Sequence, residues 1–447
     1  MMEEQLTADL WRKLGGPAPL VEQVSFYGRS EGLPSRFRVD ALASATIALA
    51  ALAAAELWSR RTEKPLRAVR VDRRLAAAAF RCERLLKPQG WILPDRFDPL
   101  MRDYEAKDGW IRLHTNYRHH RDAAMRVLDV VPEPKAVADA VRRWEAVGLE
   151  SAIVAAGGCA AALRTPEEWR RHPQGAAVAA EPLVAWEGRF DSRIPRISPQ
   201  APLGGIRVLD LTRVIAGPVG SRYLAAHGAE VLRIDPPQLE EMTGLLPETT
   251  LGKRCAALDL GKAAGRQSFE RLVSGADVLM HGYRPGALEA LGYSDERLRG
   301  LNPALAIVCH DAYGWTGPWA RRRGFDSLVQ MSSGIAHPED DGAPTPLPAQ
   351  ALDHGTGYLL AAAACRALTE GRARSRLSLA RTARLLVDLG ENPSVSPELG
   401  DAAELFERND TAWGPVLQVR CAGGIDGFQP RWAFSAGPTG QHEARWQ

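Results

Sequence analysis

From residue 203 onward, the chain repeats a pattern of short apolar runs separated by segments with helical spacing. The apolar runs at 206–211, 229–235 and 305–310 are typical of buried strands. The segment 216–227 has a proline near its first turn and a glycine just beyond its end, as helices do. Strands that alternate with helices predict a parallel sheet with right-handed crossovers, and therefore an α/β fold with a Rossmann-like layer. In such a sheet, ligands bind at the carboxyl ends of the strands.

The first 190 residues follow a less regular pattern. Residues 39–58 are apolar on nearly every side of a helix, which predicts a buried helix. Asp108-Gly109 precedes alternating apolar positions, and this predicts a hairpin turn into a strand within a compact smaller α+β unit. Further helices are predicted at 73–86, 118–128, 134–146 and 165–171.

Two stretches of the chain resemble each other. Asp40 and Asp353 each precede a turn of small residues and an Ala-rich helix, and a basic turn and a strand follow each helix. The alternative is a chance similarity between two Ala-rich helices, which the matched Asp positions disfavour. The predicted organisation is an aspartate-helix segment at 1–99, a small α+β domain at 100–190, a linker at 191–202, a Rossmann-like half with Asp353 at 203–390 and a C-terminal return segment at 391–447.

Composition narrows the class of protein. The 447 residues are 45% hydrophobic and 25% charged with a formal net charge of +2, which is ordinary for a globular protein and gives no basic surface for nucleic acid. The six cysteines show no CxxC spacing, and no Cys/His cluster has the spacing of a zinc site. The first 20 residues carry charges and no apolar core of a signal peptide, and the longest apolar run, 45–55, is about half of a membrane span. We therefore expect a cytoplasmic protein with no membrane partner.

Several common catalytic motifs are absent. The first strand of the sheet is followed by Val214-Ile215-Ala216-Gly217-Pro218 where a dinucleotide-binding domain would have G-x-G-x-x-G. The phosphate-binding loop G-x-x-x-x-G-K-[ST] does not occur. The pattern G-x-S-x-G matches only residues 28–32, in a loop rich in glycine and proline and not between a predicted strand and a helix of the sheet, where a hydrolase would have it. A nicotinamide cofactor, nucleotide hydrolysis and the commonest hydrolase chemistry are therefore disfavoured.

Basic residues occur in the loops at predicted strand ends. Together with one tyrosine they suit a ligand that carries phosphates on an adenine nucleotide, and coenzyme A fits this description. An ordinary solvated surface is the alternative for each of them taken singly. These residues are Arg213, Lys253, Arg254, Tyr283, Arg284 and the run 321–323.

Carboxylate and histidine candidates each have two interpretations. Asp353 is either the N-cap of the following helix or a nucleophile, and spacing alone leaves both open. The pairs His310-Asp311 and His119-His120 are either catalytic or simply polar strand-end and helix-surface residues, and we favour the second interpretation.

Short segments between 203 and 380 occur in a specific order and spacing. They include Gly205-Ile-Arg-Val-Leu-Asp-Leu, Ala276-Asp-Val-Leu-Met-His-Gly-Tyr-Arg-Pro-Gly, Tyr313-Gly-Trp-Thr-Gly-Pro, Gly324-Phe-Asp and Asp353. This succession resembles the front half of the family III coenzyme A transferases. That family, also called the CaiB/BaiF type, includes formyl-CoA transferase, carnitine CoA-transferase and the methylacyl-CoA racemases.

The resemblance implies an acyl-CoA transferase in which Asp353 is the nucleophile. In the family, this aspartate attacks an acyl-CoA thioester, gives a mixed anhydride and then an aspartyl-CoA thioester, and passes coenzyme A to a carboxylic acid. It implies no metal and no prosthetic group, with coenzyme A as part of the substrate, and a homodimer. We also expect backbone N–H groups at the helix N-terminus to stabilise the oxyanion, and Gly355 and Gly357 to leave room for the thioester carbonyl. Coenzyme A contacts carry over to Ile215, Ala216, Lys253, Gly282, Tyr283, Arg284, Arg323 and Phe325.

The chain departs from the family at two positions. Pro236 stands where many relatives have a basic residue after the second strand, and Phe325 stands where the racemase branch has a proton-shuttling histidine. A racemase or dehydratase-like relative is therefore the weaker alternative, because it would need His354 or His310 as its base. A degenerate coenzyme A-binding protein without turnover is the third alternative.

Residues 36–190 resemble the back half of the same family. Asp40 opens a helix, and Asp108-Gly-Trp-Ile-Arg-Leu resembles the start of the family's small domain. The order of segments is therefore permuted or fused relative to the family. No front half precedes Asp40, so we interpret Asp40 as the structural copy and Asp353 as the nucleophile.

Overall fold

The computed structural model describes residues 2–191, 200–340 and 342–447, so most of the predicted linker, 191–202, lies outside the described residues. The helices are α1 Met2–Lys13, α2 Val39–Thr62, α3 Arg73–Ala79, α4 Cys82–Leu85, α5 Arg118–Leu128, α6 Pro134–Val141, α7 Ala146–Ala155, α8 Pro166–Arg171, α9 Pro173–Ala180, α10 Ala216–Ala226, α11 Leu246–Thr249, α12 Ala263–Ser274, α13 Ala287–Ala290, α14 Asp295–Leu301, α15 Asp326–Ser332, α16 Ala351–Glu370 and α17 Leu379–Asp388. The strands are β1 Val24–Tyr27, β2 Val69–Asp72, β3 Lys87–Pro88, β4 Asp103–Glu105, β5 Trp110–Leu113, β6 Ala160–Ala162, β7 Ala185–Arg189, β8 Arg207–Leu211, β9 Glu230–Asp235, β10 Arg254–Ala257, β11 Val278–His281, β12 Ala306–Asp311, β13 Arg372–Ser378, β14 Phe406–Thr411, β15 Gly414–Val419 and β16 Gly424–Ile425.

A seven-stranded sheet forms the centre of the large unit. Its order is β10-β9-β8-β11-β12-β13-β7, and all neighbouring pairs are parallel except β13 with the edge strand β7. The strands from β8 onward therefore follow the doubly wound order 3-2-1-4-5-6. Separate apolar clusters cover the two faces, one built with α10 and α16 and the other with α12 and α14. The predicted α/β fold with a Rossmann-like sheet is confirmed.

Two long Ala-rich helices pack against each other beside this sheet. α2 contacts α16, and α16 in turn contacts α10 and the strands β12 and β13. Among the described residues, α2 is the one helix long and apolar enough to span a membrane, and its most apolar window is entirely buried in the fold. Small alanine side chains allow such helices to approach closely, so α2 is accounted for as a core helix.

The internal repeat extends beyond its two helices. α2 is followed by β2 and α3, as α16 is followed by β13 and α17. Asp72 and Ser378 occupy the same place, because each caps the helix after the strand through its side chain. The helix predicted at 73–86 is instead broken between α3 and α4, since Phe80 and Arg81 leave the helical path. This break directs α4 toward the start of α16.

The small unit has its own core around the sheet β4-β5-β6 and helices α5, α6 and α7. The predicted hairpin is confirmed by the antiparallel pair β4 and β5 on either side of Asp108-Gly109. The helix predicted at 134–146 ends at Val141, and the chain starts a new helix at Ala146. β7 lies within the range predicted for the small unit but pairs with the large sheet. The C-terminal strands β15 and β16 return to pair with β3 and β2.

Candidate active site

The main cavity lies where the doubly wound order reverses, between β8 and β11. Its volume is about 510 Å³, and the carboxyl ends of β8, β11 and β12, the start of α16 and the small unit all contribute to its wall. Val214, the third residue after β8, lines this cavity with a φ of 67°. A β-branched residue is strained in the left-handed region, and such strain is typical of functional loops.

Asp353 lies at the end of this cavity, in the first turn of α16. It is 7% exposed and is the third residue of the helix, whereas Gln350 occupies the N-cap position. The interpretation of Asp353 as an N-cap is therefore wrong. The acceptor at this helix start is Asp326, whose Oδ2 accepts from the backbone N–H of Leu352 at 2.8 Å and of Asp353 at 2.9 Å.

Two expectations about the first turn of α16 need correction. The N–H groups expected to stabilise an oxyanion are occupied, two by Asp326 and that of His354 by the carbonyl of Gln350. Gly355 and Gly357 do not leave space for a ligand, because both are buried against other elements. A Cβ on Gly357 would stand 2.5 Å from the carbonyl oxygen of Ala216. The glycines serve helix packing.

Three carboxyl groups are buried together around the start of α16. Burial raises the pKa of Asp353 well above its ordinary value, and the charges of Asp326 and Glu83 raise it further. Burial also raises the pKa of Asp326 to about 6, although hydrogen bonds from backbone N–H groups oppose the shift. Like charges that share a site without water favour the protonated form of one member.

The side chain of His354 does not contact Asp353 and packs instead against the N-terminal part of the chain. Its Nε2 lies 3.0 Å from Oε2 of Glu83, and its ring stacks on Phe80 at 5.4 Å between centroids. Glu83 and Cys82 belong to α4, and the potential ligand atoms of Cys82, Glu83 and His354 lie within 4.8 Å of one another. The guanidinium of Arg222, 3.5 Å from Cys82 Sγ, disfavours a metal cation there, because two positive charges would share the site.

The structure brings together most of the predicted coenzyme A contacts. Those that line the main cavity with Asp353 are Ala216, Gly282, Tyr283, Arg284, Arg323 and Phe325. Ile215 instead borders an adjoining cavity of about 10 Å³. Lys253 reaches neither: it is fully buried, with Nζ 3.0 Å from Asp210 and 2.6 Å from Ser221 Oγ. Its ammonium joins β8 to α10 and cannot meet a phosphate.

The arginines of the cavity fall into two groups. Arg213 is paired with Glu241, and Arg322 with Glu150. Arg284 and Arg323 have no carboxylate partner among residues 2–191, 200–340 and 342–447; they donate to the backbone carbonyls of Arg321 and Gly157. Repulsion between two unpaired cations is relieved by an anion, so these two suit a phosphate.

Histidines interpreted as surface residues in fact line the cavity. His119 and His120 of α5 form part of its wall, and His120 is only 3% exposed. Burial lowers the pKa of His120 to about 3 and that of His310 to about 4, so both rings are neutral at pH 7. His310 and Asp311 line the cavity from the end of β12. Only the approach of the small unit to the sheet reveals this, and the sequence carries no local signal for it.

Phe325 forms the contact between the two units at this wall. Its ring stacks on His114 of the small unit at 3.6 Å between centroids, nearly parallel, and lies near Tyr117. Asp40, the second aspartate of the repeat, does not line this cavity. Burial raises the pKa of Asp40, and a hydrogen bond with Ser396 opposes the shift.

Comparison with known proteins agrees with this site. Residues 203–378, which contain β8 to β13 and Asp353, match the family model of CoA-transferase family III. This segment is similar to that family. The chain is 35% identical over 190 residues to a probable fatty acyl-CoA transferase of Mycobacterium tuberculosis, covering 39% of this chain and 48% of the relative. It is 28% identical over 290 residues to an acyl-CoA transferase of Gibberella moniliformis, covering 58% and 50%.

Further matches to this segment cover similar shares of this chain and of the matched proteins. An acetyl-CoA:oxalate CoA-transferase of Acetobacter aceti is 34% identical over 160 residues, which is 33% of this chain and 41% of that protein. A crystal structure of a hypothetical protein from Mycobacterium tuberculosis superposes with a TM-score of 0.40 at 33% identity, covering 42% of this chain and 58% of that one. The matches thus span about half the length of the Mycobacterium tuberculosis and Gibberella moniliformis relatives.

Proposed function

We propose that this protein is an acyl-CoA transferase that moves coenzyme A between an acyl-CoA and a carboxylic acid through an aspartyl-CoA thioester on Asp353. The observation that carries the proposal is the meeting of Asp353 with the unpaired Arg284 and Arg323 in one cavity of the family III segment. A nucleophile and a phosphate site at the reversal point of a doubly wound sheet suit a nucleotide-bearing thioester.

The proposed reaction needs no reactant other than the acyl-CoA and the acceptor carboxylic acid. A carboxylate oxygen of Asp353 attacks the thioester carbonyl, and the C–S bond breaks. The products of this step are the thiolate of coenzyme A and a mixed anhydride on Asp353. The thiolate then attacks Cγ of Asp353 and releases the first carboxylate, which gives the aspartyl-CoA thioester. The incoming carboxylate repeats these steps in reverse, so the new acyl-CoA leaves and Asp353 is again a free carboxylate. The overall reaction replaces one thioester with another of similar energy, and the mixed anhydrides are intermediates of higher energy.

Residues of the cavity take separate roles in this proposal. Arg284 and Arg323 bind the phosphates, and Tyr283 and Phe325 contact the apolar parts of coenzyme A. Gly282 packs against His310: a Cβ at this position would lie 2.9 Å from the imidazole ring, so the glycine allows the close contact. Ile215 borders the adjoining cavity and supports the wall without contacting coenzyme A. Lys253 has a structural role only, because its ammonium holds β8 and α10 together. A homodimer, which the family resemblance implies, and a cytoplasmic location, which the sequence led us to expect, are further parts of the proposal.

Trapping of the intermediate tests the proposal. Incubation with a panel of acyl-CoAs followed by hydroxylamine converts an aspartyl thioester to a hydroxamate, which peptide mass mapping locates. We expect modification at Asp353 that is abolished in Asp353→Ala and retained in Asp40→Ala. Modification at Asp40 alone would contradict the choice of nucleophile. Exchange of the α-proton of a 2-methylacyl-CoA without coenzyme A transfer would instead favour the racemase, with His310 as base, and tight binding without either would indicate a non-catalytic binder.

A further inference from the structure

The first turn of α16 is held by a segment that lies outside the family III match. α3 and α4 belong to the first 99 residues, whereas the match begins at residue 203. Phe80, between the two helices, stacks on both His354 and Tyr358 of α16, at 5.4 Å and 6.0 Å between centroids. The break between α3 and α4 thus brings side chains of the N-terminal segment against the residue next to Asp353.

Glu83 makes a polar contact between α4 and the first turn of α16. Its Oε2 lies 3.0 Å from Nε2 of His354, and the two side chains are 3% and 1% exposed. Burial alone would raise the pKa of Glu83, but the hydrogen bond and the electrostatic interaction with His354 lower it below its ordinary value. A buried hydrogen bond between an imidazole and a carboxylate fixes the direction of both side chains. His354 follows Asp353 directly in the chain, so fixing His354 fixes the turn that carries Asp353.

We propose that Glu83 is a positioning residue that acts through His354 to orient the carboxylate of Asp353 in the cavity. The inference rests on the proposed function, because orientation matters only if Asp353 reacts. Two anchors then define the nucleophile: Asp326 holds the backbone N–H groups from the side of the small unit, and Glu83 holds His354 from the side of the N-terminal segment. A nucleophile held at both sides loses little orientational freedom before attack.

Other charged groups lie close to Glu83 and His354, and the design of the experiment takes them into account. Arg84 lies 3.8 Å from Oε1 of Glu83, and Arg222 lies near Cys82 and is paired with Glu248. Arg96 donates to the backbone carbonyl of Glu83 and stays in place when the side chain is changed. The negative charge of Glu83 also contributes to the raised pKa of Asp353. Removal of this charge should therefore be detectable at Asp353 without any substrate.

The experiment compares Glu83→Gln and Glu83→Ala with the wild-type protein and with Glu56→Gln. Glu56 is a matched control, because it is a buried glutamate of the N-terminal segment paired with Arg366 of α16 at 2.5 Å, near the opposite end of that helix. Modification of Asp353 by a water-soluble carbodiimide, which reacts with the protonated carboxyl, is mapped by mass spectrometry as a function of pH. Hydroxylamine trapping with acyl-CoA and binding of coenzyme A are measured on the same four proteins.

For Glu83→Gln, we expect the pH of half-maximal modification at Asp353 to fall by about one unit, because one nearby like charge is lost. Trapping in Glu83→Ala should slow by about tenfold or more, with coenzyme A affinity within about twofold of wild type. Glu83→Gln should recover part of this rate, since its amide oxygen still accepts from His354. Glu56→Gln should match wild type in each assay.

Two results would overturn the positioning role. One is an unchanged carbodiimide profile in Glu83→Gln, and the other is an equal effect of Glu56→Gln, which would indicate a general loss of helix order. Failure of the proposed function looks different, because the wild-type protein would then give no hydroxamate while the carbodiimide profile still shifts in Glu83→Gln. The isosteric glutamine keeps the test valid if the alanine variant fails to fold.

Discussion

Asp353 gains its chemical character from the carboxyl groups around it. A surface aspartate is fully ionised at neutral pH and is a weak nucleophile. Burial and the charges of Asp326 and Glu83 raise the pKa of Asp353, and a more basic carboxylate is a better nucleophile once it is ionised. Asp326 therefore has two effects: it fixes the backbone of Asp353, and it opposes the ionisation of its side chain.

The charge of Asp326 should determine the acid limb of the pH–rate profile. The reactive form of Asp353 is ionised, so the rate of coenzyme A exchange rises as pH passes upward through its raised pKa. Asp326→Asn keeps an oxygen that accepts from the backbone and removes the repelling charge, so the pKa of Asp353 falls. We expect the acid limb to move to lower pH by about one unit, measured as exchange rate against pH.

Asp326→Ala provides the comparison for this variant. It removes the acceptor as well as the charge and leaves two buried N–H groups without a partner, so the rate should fall at every pH. An acid limb in Asp326→Asn that coincides with that of the wild type would show that the two carboxyl groups titrate independently.

At the scale of elements, the position of α16 is determined by close packing on α10. Gly357 lies against the backbone of Ala216 and the side chain of Val219, and Gly220 lies in turn against the carbonyl oxygen of Gly357. These glycines remove the Cβ atoms that would separate the two helices. Since α10 begins at the cavity and α16 carries Asp353, this contact determines the distance between the wall and the nucleophile.

A methyl group on Gly357 should therefore destabilise the protein more than one on Gly355. In Gly357→Ala, the new Cβ would stand 2.5 Å from a backbone oxygen and 2.8 Å from Val219, so the helices must move apart. We expect a loss of about 1–3 kcal/mol in the free energy of unfolding, measured by denaturant titration.

Gly355→Ala is the matched control on the same turn. Its Cβ would lie 3.3 Å from Thr382 and 3.4 Å from Leu42, both flexible side-chain atoms. The gain in helix propensity, about 1 kcal/mol, should offset the crowding and leave stability nearly unchanged. Equal losses in the two variants would contradict the packing argument.

At the scale of the whole molecule, the cavity exists because the small unit is docked on the large sheet. Glu150 of α7 receives Arg164 at 2.5 Å and, from the large unit, Arg322 at 2.7 Å. Arg322 also donates to the carbonyl of Ala160 and stacks on Trp319 at 3.9 Å. This buried network joins the large unit to the small unit, which contributes His119 and His120 to the wall of the cavity that Asp353 also lines.

Loss of Glu150 should be costly because it leaves two buried guanidinium groups without a carboxylate. We expect Glu150→Ala to lower the free energy of unfolding by about 3–5 kcal/mol, measured by denaturant titration. Glu167→Ala is the control, since its pairs with Arg170 and Arg171 lie on an exposed helix, and it should change stability by less than about 1 kcal/mol. A small effect at Glu150 would mean that apolar contacts alone dock the small unit.

The sequence by itself determined the sheet and the helices around it. Apolar runs of strand length alternating with helical spacing predict a parallel sheet, and the strands β8, β9 and β12 were predicted within one residue of their observed bounds. Asp353, Arg284 and Arg323 were predicted through the resemblance to family III and meet in one cavity. Chain order fixes these features, because parallel strands joined by right-handed crossovers place the loops after β8, β11 and β12 at one edge.

Only the tertiary structure decided what surrounds Asp353. Asp326 as the acceptor at the helix start, the Glu83–His354 pair and the histidines of α5 come from segments far apart in the chain, and no periodicity links them. The burial of Lys253 was equally hidden, since a lysine in a loop has the same sequence pattern whether it faces a ligand or Asp210. Desolvation and charge proximity, which set the chemistry of this site, depend on packing in three dimensions and not on spacing along the chain.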